Sequence, residues 1–218
     1  MPIKSKRQTY QGESITISFD LKRCIHAAEC GRRLPAVFDA NRRPWVEPDA
    51  ASADEIAAVV ERCPSGALQF ERTDGATSEV EPSENLILPT PNGPLYVQGQ
   101  VRVSIAGETN EEKRVILCRC GASKNKPFCD NAHQAIDFEA IGGVADNQGD
   151  VTIVSSSGTL EISTAPNGPY LLRGNFDIRN EAGTTVFQGS KAALCRCGGS
   201  QNKPFCDGAH AALGVEAE

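Results

Sequence analysis

Cysteine and histidine are the residues of this chain whose types and spacing could do chemistry. Nine cysteines fall into three groups, and each of the three histidines lies beside one group. Because the cysteines are odd in number and no export signal precedes them, we expect metal or redox chemistry rather than disulfides. The groups are Cys24, Cys30 and Cys63 with His26; Cys118, Cys120 and Cys129 with His133; and Cys195, Cys197 and Cys206 with His210.

A repeat places the second and third groups in the same sequence context. PNGPLYVQGQVRV from Pro91 returns as PNGPYLLRGNFDI from Pro166, and CRCGASKNKPFCDNAH from Cys118 returns as CRCGGSQNKPFCDGAH from Cys195. Both copies read C-x-C-x2-S-x3-P-x-C-D-x-A-H. Four donors at one spacing in both copies predict one metal site in each.

The spacing within each copy favours a two-iron cluster over a single zinc ion. Zinc sites usually draw their cysteines from C-x2-4-C knuckles, whereas the first pair here is C-x-C. A structural zinc site remains the alternative. In a [2Fe–2S] cluster, one C-x-C pair can hold one iron while the last cysteine and the histidine hold the other. The candidate ligands are Cys118, Cys120, Cys129 and His133 in one copy, and Cys195, Cys197, Cys206 and His210 in the other.

Residues beside the donors suit an anionic cofactor. We expect Asp207 to cap a helix whose first turn carries His210, because a helix N-terminus favours negative charge. Gly208 is expected either at a positive φ or at a close approach of the backbone, and Asn131, which replaces it in the first copy, tolerates a positive φ. Four cations are interpreted either as offsetting the charge of a cluster or as solvated surface residues: Arg119, Arg196, Lys126 and Lys203.

The repeated motif is similar to the CDGSH iron–sulfur domain of the NEET family, over residues 86–212. The resemblance implies a [2Fe–2S] cluster with three cysteines and one histidine in each copy, residues 86–137 and 159–213. It also implies that the copies pack about a two-fold axis, so that a monomer contains an internal pseudo-dimer in which strands can be exchanged. One imidazole ligand raises the potential of a cluster and can protonate near physiological pH.

The N-terminal group is spaced differently, because five residues separate Cys24 from Cys30 and Pro64 follows Cys63. Bacterial ferredoxins use C-x2-C-x2-C and a C-P pair, and Ala27 stands at the second cysteine position here. Three thiolates predict a [3Fe–4S] cluster; the alternative is [4Fe–4S] with His26 or solvent on the fourth iron. Residues 13–70 resemble a divergent single-cluster ferredoxin domain, and also the [3Fe–4S] ferredoxins with C-x5-C and C-P spacing. We assign this domain to residues 1–75.

The patterning predicts an α+β chain in which a small ferredoxin-like N-terminal domain precedes a mainly β tandem CDGSH unit with pseudo-two-fold symmetry. The polar stretch 71–85 is the expected linker. Predicted helices are Glu29–Val37 and Ser52–Arg62, the second opened by a capping box of Ser52 and Glu55. Predicted strands are Ser14–Phe19, Ala67–Phe70, Leu95–Val103, Val115–Leu117, Tyr170–Ile178 and Thr184–Gln188. A hairpin tip is predicted around Gly183, and a further hairpin is predicted from Val151–Val154 and Thr159–Ile162 on either side of SSSG.

Composition argues against several classes of function. The net charge is −6 and no basic run extends beyond Lys4, Lys6 and Arg7, so we expect no nucleic-acid partner. Without an apolar run of membrane-spanning length or an apolar leader, we expect a cytoplasmic protein with no membrane partner. We predict an electron carrier for redox partner proteins rather than an enzyme. The alternatives are cluster storage, delivery to apo-acceptors or redox and pH sensing, and reduction of a small molecule at an open iron corner.

Overall fold

The computed structural model describes residues 7–105, 107–144 and 155–215. The chain divides into two compact units, Ile3–Val80 and Glu81–Glu218. Their boundary falls within the polar stretch 71–85. In the described part of the chain, no helix is long and apolar enough to cross a membrane.

The N-terminal unit is a three-stranded antiparallel sheet with short helices between its second and third strands. The strands β1 (Gln8–Gln11), β2 (Ile15–Phe19) and β3 (Leu68–Arg72) lie in that order, with β2 in the centre. Ile15 and Ile17 on alternate positions of β2 are buried, which is the pattern of a strand with one face on a core. The elements are β1 Gln8–Gln11, β2 Ile15–Phe19, a 3-10 turn at Leu21–Arg23, α1 Glu29–Arg33, a 3-10 turn at Pro48–Ala50, α2 Ala53–Val60 and β3 Leu68–Arg72.

Helix α2 begins at the capping box that the sequence predicts. The Ser52 hydroxyl accepts a hydrogen bond from the Glu55 N–H at 3.3 Å, and the Glu55 carboxylate accepts the Ser52 N–H at 3.0 Å. Ile56 on its inner face is fully buried. Trp45 contacts the rings of Tyr10 and Phe19, so it packs the core of this unit. The predicted helix from Glu29 is confirmed but ends earlier, at Arg33.

The second unit is a six-stranded sheet built from both copies of the repeat. Its predicted strands are longer than the sequence indicates, and its first strand, Leu86–Pro89, was not predicted at all. In the described part of this unit, helical structure is confined to short turns after the last cysteine of each copy. The elements are β4 Leu86–Pro89, β5 Leu95–Ile105, β6 Glu108–Leu117, a 3-10 turn at Ala132–Ala135, β7 Thr159–Thr164, β8 Tyr170–Arg179, β9 Thr185–Leu194 and α3 Ala209–Ala212.

Strands at equivalent places in the two copies make equivalent pairings. Strand β4 pairs antiparallel with β5 of its own copy and parallel with β8 of the other. Strand β7 likewise pairs antiparallel with β8 and parallel with β5. Strands β6 and β9 each pair antiparallel with a strand of their own copy, β6 with β5 and β9 with β8. Val101, Leu160, Tyr170, Phe176 and other residues of both copies therefore share one hydrophobic core.

Two turn predictions have different outcomes. The hairpin tip at Gly183 is confirmed, since Gly183 lies at φ 77° between β8 and β9 and donates to the carbonyl of Asn180 at 2.9 Å. Of the hairpin predicted around SSSG, the second strand is present as β7. The first, Val151–Val154, lies outside the described residues. Within the described part of the chain, β7 pairs with β5 and β8.

Candidate metal centres

The four predicted donors of the first motif, residues 118–133, lie as two close pairs. Cys118 Sγ is 3.7 Å from Cys120 Sγ. Cys129 Sγ is 3.7 Å from the Nδ1 atom of His133. All three cysteines are buried, while His133 is half-buried. The structure therefore brings these donors together two by two.

The second motif, residues 195–210, repeats this arrangement. Cys195 Sγ is 3.8 Å from Cys197 Sγ, and Cys206 Sγ is 3.4 Å from the Nδ1 atom of His210. Cys195 is buried, but Cys197, Cys206 and His210 are half-buried. The two motifs thus share their donor geometry and differ in their exposure to solvent.

These spacings fit tetrahedral coordination of one metal by each pair. With a metal–sulfur bond of about 2.3 Å, two sulfurs at tetrahedral corners are about 3.8 Å apart, and a sulfur–nitrogen pair is about 3.5 Å apart. Among the described residues, no group of three or more His, Cys, Asp or Glu side chains could hold a single metal ion. A two-iron cluster divides its four ligands between two irons, so both donor sets suit it.

A hydrogen bond between two thiols and the burial of the other donors shift the pKa values of the first motif. A hydrogen bond between the two thiols lowers the pKa of Cys118 to about 6 and raises that of Cys120. Burial raises the pKa of Cys129 to about 11. Burial also lowers the pKa of His133, which favours the neutral imidazole that a metal requires. The Asn131 N–H donates to Cys129 Sγ at 3.3 Å, which acts against the rise in the pKa of this cysteine.

A serine and an aspartate shape the loop of each motif. Ser123 donates to the carbonyl of Phe128 at 2.7 Å and accepts the Asn125 N–H at 3.0 Å. The Asp130 carboxylate accepts the N–H groups of Lys124 at 2.8 Å and Ala132 at 3.0 Å. The second motif repeats these four bonds with Ser200, Phe205, Asn202, Asp207, Gln201 and Ala209.

The expectation that Asp207 is the N-cap of a helix is wrong by one residue. Helix α3 begins at Ala209, and its N-cap is Gly208, which lies in the left-handed region at φ 87°. Asn131 holds the same position in the first motif at φ 67°, so the predicted positive φ is confirmed in both copies. Asp207 instead bridges Gln201 and Ala209, because the tight turn at Gly208 places its carboxylate between both N–H groups.

Arg119, between the first two cysteines of its motif, is fully buried, so the reading as a solvated surface residue is wrong. Its guanidinium donates to the carbonyls of Gly93 at 3.0 Å, Ile141 at 3.1 Å and Thr90 at 2.5 Å. The bonds to Gly93 and Thr90 tie the cysteine loop to the turn between β4 and β5, and the bond to Ile141 ties it to the segment after the first motif. A buried cation needs both hydrogen bonds and a compensating charge.

Arg196 holds the equivalent place in the second motif and is also buried. It donates to the carbonyls of Gly168 at 2.9 Å and Ala165 at 3.0 Å. Burial lowers the pKa of Arg119 to about 10, while the thiolate of Cys195 in the opposite motif acts to raise it. The negative charge of one motif therefore influences the pKa of the arginine in the other motif.

The two cysteine loops touch each other through glycine. A Cβ on Gly121 would lie 2.4 Å from the carbonyl oxygen of Cys197, and a Cβ on Gly198 would lie 2.5 Å from that of Cys120. Both glycines have positive φ, at 81° and 84°. Only glycine can occupy these positions, because a side chain would overlap the backbone of the other copy.

Tyr170 is a functional-site residue that sequence reasoning missed. It belongs to the second copy, yet its hydroxyl lies 2.8 Å from the carbonyl oxygen of Cys118 and 2.9 Å from that of Pro127 in the first. The ring is fully buried, and burial raises the pKa of its hydroxyl. The available signal was the departure from the repeat, since Leu95 stands at the equivalent position.

The N-terminal group gathers its cysteines from three places in the chain. Cys24 follows the 3-10 turn at Leu21–Arg23, Cys30 lies on α1, and Cys63 follows α2. All three thiols are half-buried. Burial raises the pKa values of Cys24 and Cys30, and the charge of Cys63 raises both further. The three thiols are thus close enough to interact electrostatically.

The loop between Cys24 and Cys30 has an uncommon backbone. His26 and Ala28 have positive φ values of 56° and 61°, a conformation that non-glycine residues adopt mainly where surrounding structure enforces it. The His26 N–H donates to Cys24 Sγ at 3.4 Å. The structure therefore places the backbone of His26 beside a candidate ligand.

Two arginines hold the loop that carries Cys63. Arg23, which is buried, donates to the carbonyl of Ser65 at 3.1 Å. Arg7 donates to the carbonyls of Gly66 and Ala67, both at 3.1 Å. The Leu68 N–H donates to Cys63 Sγ at 3.4 Å. All nine cysteines lie in the described part of the chain, and none of them is paired in a disulfide there.

Comparison with known proteins agrees with this division of the sites. Residues 10–73 match the family described as "Divergent 4Fe-4S mono-cluster", and residues 92–134 and 167–211 match "Iron-binding zinc finger CDGSH type". The "Uncharacterized protein YjdI" of Escherichia coli strain K12, and its counterpart in Escherichia coli O157:H7, are each 36% identical over 61 residues. That alignment covers 28% of this chain and 80% of each relative.

Proposed function

Because the chain belongs to the CDGSH iron-binding family and carries a divergent 4Fe-4S mono-cluster domain before its two CDGSH segments, we propose that it is a three-cluster electron carrier. When bound, the clusters supply one-electron redox centres, and one imidazole ligand raises the potential at each CDGSH site. The proposed ligands are Cys118, Cys120, Cys129 and His133 for one [2Fe–2S] cluster, Cys195, Cys197, Cys206 and His210 for the other, and Cys24, Cys30 and Cys63 for a [3Fe–4S] cluster.

The observation that carries this proposal is the division of each CDGSH donor set into two pairs. A pair such as Cys118 and Cys120, with its sulfurs 3.7 Å apart, suits one tetrahedral iron. The test is anaerobic purification with measurement of iron, sulfide and zinc, and EPR spectra before and after dithionite. About seven irons per chain would support the proposal. Zinc without iron would overturn it.

The N-terminal centre has one alternative form. The description of its family names a 4Fe-4S cluster, and a fourth ligand would then come from His26 or from solvent. A count of about eight irons, with no oxidised [3Fe–4S] EPR signal, would select this form. His26→Ala would then distinguish the two candidates for the fourth ligand. The iron count would fall if the imidazole is that ligand and would stay at about eight if solvent is.

Cluster storage and delivery, or sensing of redox state and pH, is a second candidate function. It is favoured by the half-buried ligands His133 and His210, because solvent and other proteins can reach an imidazole that is not fully enclosed. The test is to mix holo-protein with an apo-acceptor while the redox state is held constant. Appearance of a cluster on the acceptor would favour delivery over electron transfer.

We propose further that the second unit is an internal pseudo-dimer and that the chain is a monomer. The equivalent pairings of β4 and β7 and the reciprocal contacts of Gly121 and Gly198 support this. The proposed partners are redox proteins of the cytoplasm or apo-acceptors of clusters. Sedimentation of the holo-protein tests the monomer directly, and a dimer would contradict it.

A further inference from the structure

The chain that follows the first CDGSH site folds back over it. We call residues 134–143 the cover segment. Within it, the Phe138 N–H donates to the carbonyl of His133 at 3.2 Å, and the Gly143 N–H donates to that of Pro89 at 3.2 Å. Ala140 exchanges two bonds with Asn92, donating to its side chain at 2.9 Å and accepting its N–H at 2.8 Å. The cover segment is therefore fastened at several points.

Phe138 is the part of the cover segment that closes the site. Only 8% of its surface is exposed, and it packs in one buried cluster with Cys118 and Cys120. The guanidinium of Arg119 lies 5.6 Å from the centre of its ring, and the ammonium of Lys203 lies 5.8 Å from it. Water reaching the first pair of donors must therefore displace an aromatic ring and its cationic neighbours.

The second CDGSH site is more open in the described part of the chain. Cys197 and Cys206 are half-buried, whereas their equivalents Cys120 and Cys129 are 8% and 3% exposed. The residues after His210 are exposed over 211–214, and Leu213 keeps 58% of its surface in solvent. The same ligand set is therefore embedded in two different surroundings.

We infer that the two CDGSH sites have unequal roles: the second is the site at which another protein or a reagent reaches the cluster ligands, and the first is a protected site that retains its cluster. The inference rests on the proposed function, because it requires a [2Fe–2S] cluster at each site. Opening of a covered site is a local unfolding step, so the cover segment governs how often the first site becomes accessible.

The test is a chelator challenge of the anaerobic holo-protein, with EDTA as the probe. Native mass spectrometry follows the loss of two irons and two sulfides from each chain, which separates a [2Fe–2S] cluster from the N-terminal one. Two kinetic phases are expected, with accumulation of chains that keep one [2Fe–2S] cluster. A single phase in which both clusters leave together would overturn the inference.

Two variants assign the slow phase to the covered site. Phe138→Ala is expected to accelerate the slow phase about tenfold, which corresponds to about 1.4 kcal/mol in the barrier, and to leave the fast phase unchanged. Leu213→Ala, after the second site, is its control and should leave the slow phase unchanged. If Phe138→Ala accelerated only the fast phase, the covered site would be the one that loses its cluster first. That result would overturn the inference.

A second pair of variants loosens the cover without touching the aromatic ring. Asn92→Gly keeps a residue that tolerates the φ of 50° found there but removes the side chain that holds Ala140. Asn167→Gly is the same change at the same φ in the other copy. Of the two variants, only Asn92→Gly should accelerate the slow phase. Equal acceleration of the slow phase by Asn92→Gly and Asn167→Gly would overturn the inference. Zinc in place of iron would instead remove the proposed function itself, so the two failures are distinguishable.

Discussion

The N-terminal centre and the CDGSH centres are assembled in different ways. Each CDGSH site takes its four donors from one loop of consecutive residues, such as 118–133, shaped by Ser123 and Asp130. The N-terminal site takes its thiols from residues near three separate elements, with Cys24 and Cys63 far apart in sequence. A local motif carries its own geometry, whereas a dispersed site depends on the packing of the whole unit.

The largest expected effect separates the two kinds of centre. Cys63→Ala should remove the N-terminal cluster and lower the iron content by about three per chain, because two thiolates cannot hold it. The CDGSH content should not change, since those sites lie in a unit with its own hydrophobic core. Iron analysis with EPR of the reduced protein measures both. Loss of [2Fe–2S] signals in this variant would mean that the centres depend on each other.

Removal of a buried cation tests how strongly the CDGSH loop relies on charge. Arg119→Met should destabilise the second unit by about 3–5 kcal/mol, because three carbonyls lose their donor and the thiolate-rich sites lose a counter-charge. Thermal loss of visible cluster absorbance is the measurement. Arg102→Met is the control, since its ion pairs with Glu111 and Glu161 are exposed and should contribute little. Similar melting temperatures for both variants would refute a special role for Arg119.

The contact between cysteine loops can be weakened without changing a ligand. Gly121→Ala should cost about 3 kcal/mol, since it adds an overlap with the Cys197 carbonyl to the cost of a positive φ. Gly183→Ala shares the positive φ but would meet nothing within 4 Å, so about 1 kcal/mol is expected. The difference between the two melting temperatures isolates the contact between the copies. Equal shifts would show that the loops can separate freely.

The smallest expected effect concerns the stability of the N-terminal unit. Ser52→Ala removes the capping box of α2 and should cost the N-terminal unit about 1 kcal/mol. Cys63 follows this helix, so the N-terminal cluster should be lost at a slightly lower temperature. Ser52→Thr retains a hydroxyl and serves as the control. A change in the melting of the CDGSH centres instead would contradict the independence of the two units.

Local patterns in the sequence predicted most of the elements. The alternation around Ile15 and Ile17, the capping box at Ser52 and the hairpin tip at Gly183 all appear in the structure, because each depends on a few neighbouring residues. Strand β4 was missed because its four residues carry little pattern of their own. It forms by pairing with β5 and β8, which are contacts no local rule contains. The predicted N-cap role of Asp207 was wrong for a similar reason, since its two partners, Gln201 and Ala209, lie on opposite sides of a tight turn.

The sequence by itself determined the repetition of the motif and the similarity of its two segments to the CDGSH family, and it predicted the donor sets, because a motif of closely spaced ligands leaves few alternatives. Only the tertiary structure decided that Arg119 and Arg196 are buried, that Tyr170 of one copy bonds to the cysteine loop of the other, and that Phe138 packs against Cys118 and Cys120. These features arise between segments far apart in the chain. Spacing along a sequence carries no information on such contacts, since they depend on how strands of both copies pair into one sheet.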